Sequence, residues 1–341
     1  MYKIFFAILA GGLLCSSCGV TKNTATNTKE NDKTLTMYWG ANEDFMVHHV
    51  AEFEKETGIK VQAVRMSTGE IIGRLKAEKN RPRASVWFGG SIDGHIQAQE
   101  DGLLIPYKSP SAAILPDKFK DPEGYWTGVY VGYLGFASNK KLLAAKHVAP
   151  PESWQDLLNP AFQGQIICAN PGSSGTAYAL LATIVQLMGE QEGMIYMKKL
   201  DRQIKTYTKS GTAGANMAGE GECMVGLTYL HDAIKVEEEG MNTIVLTVPK
   251  EGTGYEIGGV SLIKDGPDPE NAKKFIDWCL TKKAQESGKE AGAYQFLTNP
   301  EAQAPEVVRN ITKTKLIDYN FIWAGKNRSR LVELWHQAVN K

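Results

Sequence analysis

Gly172-Ser173-Ser174-Gly175-Thr176 is a run of small and hydroxylated residues between an apolar stretch, 164–169, and the Ala/Leu/Met-rich segment Ala177–Met188. The apolar stretch reads as a buried strand and the second segment as a helix stopped by Gly189. A helix start leaves backbone N–H groups unpaired at its electropositive end. Glycines there let the backbone approach a ligand, and three hydroxyls add donors, so the turn can seat an anion. Capping of the helix by Ser174 or Thr176 is the simpler use of the same residues. Two further turns have the same make-up, Ser67-Thr68-Gly69-Glu70 and Gly89-Gly90-Ser91, each directly after a strand-like segment. Either could serve as a cap alone. Three such turns after successive strands would meet at one sheet edge, where ligands bind in open α/β sheets.

The elements that must position these turns alternate. Strands are expected at 34–39, 59–64, 84–88, 164–169, 223–228, 243–248 and 258–263. Helices are expected at 43–57, 67–79, 92–100, 177–188, 190–200, 213–219, 269–280 and 328–339, and a new helical unit at 150–157. Thr68 is the expected cap of the second helix. Strand–turn–helix recurrence argues an α/β fold with a largely parallel sheet. The glycine-punctuated extended run from Tyr125 to Phe136 suits a crossing between two lobes, because glycines tolerate hinge rotation.

A chain of 341 residues can bury a sizeable core and is long enough for two lobes. Its formal net charge is +0, with both signs interspersed, which argues against a nucleic-acid-binding surface. Lys3 and the short apolar run Ile4–Leu14 precede Cys15-Ser16-Ser17-Cys18. This resembles a bacterial lipoprotein signal, 1–17, cleaved after Ser17 with lipid on Cys18. Residues 18–32 then form a polar tether, so the protein is expected in the periplasm or at the cell surface, held to the membrane by lipid alone. The remaining cysteines, Cys168, Cys223 and Cys279, have no metal-site spacing and cannot all pair; Cys168 and Cys223, each in an expected strand, read as buried thiols ahead of a disulfide.

A larger resemblance rests on an ordered set: Thr57-Gly58-Ile59, Ser67-Thr68-Gly69-Glu70, Trp87-Phe88-Gly89-Gly90-Ser91, Ser153-Trp154-Gln155-Asp156-Leu157-Leu158 with Pro160, Asn170-Pro171 with Ser173-Ser174-Gly175-Thr176, and His231-Asp232 with Gly252-Thr253-Gly254-Tyr255-Glu256. From about residue 35 to the end the chain resembles the ferric-type solute-binding proteins of ABC importers, in the branch that binds hexose phosphates and other small organophosphates. The resemblance implies a type II periplasmic binding protein fold, two α/β lobes with two interlobe crossings. Lobe one would comprise 33–133 plus 265–341, and lobe two 134–264. It also implies that Ser173, Ser174, Gly175 and Thr176 hold a phosphate from lobe two while Ser67, Thr68, Gly69 and Ser91 close on it from lobe one. Asn42 stands where relatives offer Ser or Thr. His231, Asp232 and Glu256 match the set that grips sugar hydroxyls. The implied partners are a small phosphate ester and the permease and ATPase subunits of an importer. A monomer without cofactor and without catalytic activity is expected.

Three other functions were weighed. Ferric binders of this family present adjacent tyrosines, and no Tyr-Tyr pair occurs here. A secreted hydrolase using Ser174 and His231 would lack any Gly-x-Ser-x-Gly elbow. A ligand-sensing subunit would share the binding site and differ only in its partner.

Overall fold

The computed structural model describes residues 33–339 apart from Thr312. The expected signal 1–17, the lipid-bearing Cys18 and the tether 18–32 lie outside the described residues. The chain opens with β1 (Thr34–Trp39), α1 (Glu43–Thr57), β2 (Lys60–Arg65), α2 (Thr68–Ala77), β3 (Val86–Ser91), α3 (Ile92–Glu100) and β4 (Leu104–Ile105). The long β5 (Thr127–Asn139) and α4 (Lys140–Ala145) lead into β6 (Ile166–Ala169), α5 (Gly175–Met188), α6 (Glu190–Asp201), β7 (Ile204–Thr208), α7 (Ala213–Glu220), β8 (Val225–Tyr229), α8 (Leu230–Glu238) and β9 (Ile244–Thr247). Last come β10 (Tyr255–Ile263), α9 (Pro269–Cys279), α10 (Lys282–Ser287), β11 (Phe296–Leu297) and α11 (Phe321–Val339).

The strands lie in the order β2-β1-β3-β10-β5-β8-β6-β7, with short β4, β9 and β11 beside this path. β1 pairs in parallel with β2 and β3, and β6 in parallel with β7 and β8. β5 and β10 run antiparallel to their neighbours, so the sheet is mixed rather than largely parallel. The reason is topological: one strand carries the chain out to the second half and the other brings it back. The first half of β5, up to Tyr133, pairs with β10, and from Leu134 onward the same strand pairs with β8. Tyr133–Leu134 is therefore where the two halves of the sheet are joined.

Each half has its own core. Around the first, Trp39 stacks on Phe88 with ring centroids 4.0 Å apart, beside Phe53 and Phe275. In the second, every residue of α5 from Ala177 to Val185 is buried, as expected of a helix that is apolar all round. It is covered by α6 and α11. Leu331 and Trp335 of α11 sit in this second core, while the start of the same helix lies on α3, so α11 spans both halves.

Two further expectations about helices differ from the structure. Residues 150–157 form no α-helix, only short 3-10 turns at 156–158 and 160–162. Proline at 150, 151 and 160 leaves too few residues for a helical run, and Trp154 is buried instead, its indole donating to the Gly252 carbonyl at 3.0 Å. α11 starts at Phe321 rather than Arg328, because Asn320 Oδ1 accepts from the Trp323 N–H at 2.9 Å and caps it. Cys168, Cys223 and Cys279 are buried and unpaired.

The β5–β10 pair leaves no spare room. A Cβ added at Gly258 would lie 2.1 Å from Tyr130 Cζ. Gly258→Ala is expected to cost about 1–3 kcal/mol through overpacking, read as a lower urea midpoint at unchanged slope.

Candidate functional site

Five helices begin at one cleft. Their N-caps are Asn42 for α1, Ser67 for α2, Ser174 for α5, Thr212 for α7 and Tyr229 for α8, and all five residues line it. Each follows a strand whose C-terminal end points to the same edge, so the alternation read from sequence produces this convergence. Asn42 Oδ1 accepts from the Phe45 N–H at 2.8 Å, and Ser174 Oγ from the Ala177 N–H at 3.3 Å. The Ser67 N–H donates to Glu70 Oε2 at 3.1 Å, which moves the cap one residue ahead of the expected Thr68. Capping and anion seating thus draw on the same turns. The summed dipoles of the helices favour an anion.

The walls touch across the cleft. The Gly69 N–H donates to the Ser173 carbonyl at 2.8 Å, joining the start of α2 to the turn before α5. A Cβ at Gly69 would stand 1.9 Å from the Gly172 carbonyl oxygen, and one at Gly175 would stand 2.5 Å from Thr68 Oγ1. Only glycine permits this approach. Arg65, the last residue of β2, donates through Nε to the Ala41 carbonyl at 3.2 Å and through Nη2 to Ser210 Oγ at 3.0 Å. At the rim, Lys235 of α8 pairs with Asp44 of α1.

A second group of polar residues is also buried. His231 Nε2 lies 3.7 Å from Asp232 Oδ1 and 3.8 Å from Glu256 Oε1, and all three residues line the cleft. Gly132 makes space for them, since a Cβ there would meet the His231 ring at 2.5 Å. Tyr229 stacks on His231 at 5.5 Å, and the Tyr130 hydroxyl accepts from the Gly90 N–H at 3.0 Å. Burial pushes Glu256 well above its ordinary carboxylate value, and the charges of Asp232 and Asp93 push it further. Burial also raises Asp232, with His231, Arg65 and Lys235 drawing it back, and lowers His231 against the pull of Asp232. His231 Nδ1 and the Tyr229 hydroxyl are buried without a hydrogen-bond partner in the protein, which leaves both free for a group in the cleft.

Of the residues singled out from sequence, Asn42, Ser67, Thr68, Ser174, Gly175, Thr176, His231, Asp232 and Glu256 line the cleft. Gly69 and Ser173 instead form the contact between its walls, with Ser173 Oγ donating to the Lys209 carbonyl at 3.1 Å. Ser91 is fully buried and its hydroxyl donates to Asp93 Oδ2 at 2.8 Å. Sequence reading missed Arg65, Tyr130, Thr212, Tyr229 and Gln295 as lining residues. Arg65 carried a usable signal, because it ends a strand two residues before a hydroxylated turn. Among the described residues, no group of three His, Cys, Asp or Glu could hold a metal ion.

Two α/β halves joined through a pair of long strands, with a polar cleft where helix starts from both halves meet, define a protein that captures a small solute. The chain belongs to the bacterial extracellular solute-binding protein family, whose model matches residues 92–324. It has the type II periplasmic binding fold. A relative from Haemophilus influenzae, described as an uncharacterized protein, is 37% identical over 98% of this chain and 95% of its own. Among solved structures, the periplasmic binding protein AfuA from Actinobacillus pleuropneumoniae, with exogenous fructose-6-phosphate bound, is 40% identical with a TM-score of 0.87, covering 90% of this chain and 99% of that one. The periplasmic binding protein P5PA is 35% identical with a TM-score of 0.86 and the same coverage.

Glu256 gives the ligand-free protein a pH dependence. An acid whose folded-state pKa is raised contributes stability in full below its unfolded value, and that contribution is lost as pH rises through the folded value. The ordinary value is 4.5, so the loss develops above it. Glu256→Gln removes the penalty, and its stability relative to wild type is expected to be higher at about pH 8 than at about pH 4 in urea unfolding.

Proposed function

We propose that the protein is the substrate-binding lipoprotein of an ABC importer and captures a small organophosphate, of the hexose-phosphate class, between its lobes. The observation that carries this reading is the convergence of five helix starts and Arg65 on a cleft that also holds His231, Asp232 and Glu256. Ser67, Thr68, Ser174, Gly175 and Thr176, with Arg65 as the fixed positive charge, would take the phosphate. Asn42 would add a lobe-one contact. Gly69, Ser91 and Ser173 would act by shaping the seat rather than by touching the ligand. His231, Asp232 and Glu256 would take the hydroxyls, since carboxyl groups accept or share hydroxyl protons and imidazole can donate or accept. The likeness to AfuA, whose structure contains fructose-6-phosphate, supports the same ligand class.

Magnitudes agree with this role. A hydrogen bond to a charged group is worth about 1.5–3 kcal/mol, so four or five suffice for micromolar capture. Closure of lobe one (33–133 plus 265–341) on lobe two (134–264) about the β5–β10 pair would enclose the ligand without any chemical step. α11 would serve both lobes. Tyr130 and Tyr229 are pushed well above the ordinary phenol value, chiefly by burial. Lipid on Cys18 would hold the protein beside a permease and ATPase, as a monomer in the periplasm or at the cell surface.

Titration calorimetry tests the assignment. Wild type is expected to bind fructose 6-phosphate at micromolar level or tighter. Asp232→Ala should weaken it roughly ten- to a hundredfold, the cost of an unpaired buried group, and scarcely change inorganic phosphate, which cannot reach that end. Equal losses for both ligands would place Asp232 in the anion seat or the fold. Gly175→Asp should abolish binding of both ligands, because its carboxylate fills the anion seat and its side chain meets Thr68. Undiminished binding by that variant would place the phosphate elsewhere.

A further inference from the structure

Behind the cleft, one guanidinium holds both of its walls. Arg328 lies within α11 and is 3% exposed. Its Nη1 donates to Asp93 Oδ1 at 3.0 Å, and Asp93, at 0% exposure, also accepts the Ser91 hydroxyl. Its Nη2 reaches the Pro171 carbonyl at 3.5 Å, and its Cζ lies 4.1 Å from the centre of the Tyr178 ring. Ser91 follows Gly90, which lines the cleft from the first half, while Pro171 opens the turn that leads to Ser174, Gly175 and Thr176 on the second.

α11 is fastened on either side of this point. A Cβ at Gly325 would lie 2.6 Å from Ile96, so this part of the helix is pressed onto α3. The Tyr178 hydroxyl donates to the Ala324 carbonyl, and the Gln97 amide donates to Ser329 Oγ at 2.8 Å. Farther along, Leu331 and Trp335 are anchored in the second core. The helix can therefore transmit the position of one half to the other, and Arg328 sits where the two meet.

We propose that Arg328 is a positioning residue for ligand capture. It clamps the turn from Pro171 to Thr176 against the Ser91–Asp93 wall from behind and so favours the closed arrangement of the site. A guanidinium suits this task because its planar fork serves two acceptors while its face lies on an aromatic ring, which an ammonium group cannot do. If the halves part, Arg328 must release either Asp93 or the Pro171 carbonyl. Weakening the clamp lowers the fraction of closed protein, and apparent affinity falls by that fraction whatever the ligand. The role rests on the organophosphate reading for its ligand, but not for its conformational readout.

The experiment uses the full chain with spin labels on cysteines introduced at the exposed positions Lys55 and Lys198, one on each half. Cys168, Cys223 and Cys279 are buried, and Cys15 and Cys18 are replaced by serine, so labels go to the introduced sites. In Arg328→Lys, fructose 6-phosphate and inorganic phosphate should both bind on the order of tenfold more weakly, with their affinity ratio unchanged. The interlobe distance distribution should shift to longer values. Asp93→Asn, which keeps the shape but removes the charge, should do the same more mildly, and it serves if the arginine variant does not fold. Wild-type distances and affinities in the folded variants would overturn the proposal, as would a loss confined to one ligand. If wild type binds no phosphate compound, the organophosphate reading falls, and the ligand-free distances alone decide: longer in the variants supports the clamp, unchanged overturns it.

Discussion

The pairing of β5 with β10 is the constraint on which the remainder of the structure rests. β5 changes partners between Tyr133 and Leu134, from β10 to β8, so a single strand belongs to both halves of the sheet. The ladder makes close packing unavoidable at the junction. Gly258 leaves room for Tyr130, and Gly132 for His231 and Glu256. The cleft is therefore built on the joint itself, and its buried polar groups come from, or lean on, the two strands that join the halves. Any movement of one half against the other must be taken up where those groups sit.

The same arrangement brings two kinds of polarity into one cleft. Helix starts and Arg65 supply donors and positive potential. Asp232 and Glu256, raised by burial, gather acceptors and shared protons beside His231. Burying such groups unpaired is unfavourable for the empty protein, and a ligand that satisfies them recovers that energy only if its own groups match. Under the proposed reading, affinity comes from the first set and discrimination from the second.

Much of this was legible in the sequence, and the reasons are local. The turns at Ser67–Glu70 and Ser173–Thr176 announce themselves because small and hydroxylated residues follow apolar runs, and both meet at the cleft. Strand and helix alternation gave the fold class. What stayed hidden depends on partners distant in sequence. Ser91 looks like a ligand contact until Asp93 is seen to take its hydroxyl, and Asp93 in turn pairs with Arg328, 235 residues away. Gly69 and Ser173 read as phosphate contacts, and the structure adds a contact between them, the Gly69 N–H donating to the Ser173 carbonyl. The antiparallel course of β5 and β10 follows from a crossing and return that no window of residues encodes. The prolines at 150, 151 and 160 were a local signal against a helix at 150–157, where a tryptophan anchors the segment instead.

The three cysteines have a consequence for how the molecule matures. Burial pushes the thiols of Cys168 and Cys223 up to about 12, and that of Cys279 well above its ordinary value. Thiolate is the species that attacks disulfides and oxidants, and almost none exists at these sites in the folded chain. In an oxidising compartment, these three described thiols are therefore protected once folded, and the interval during which they are vulnerable ends when the two cores close.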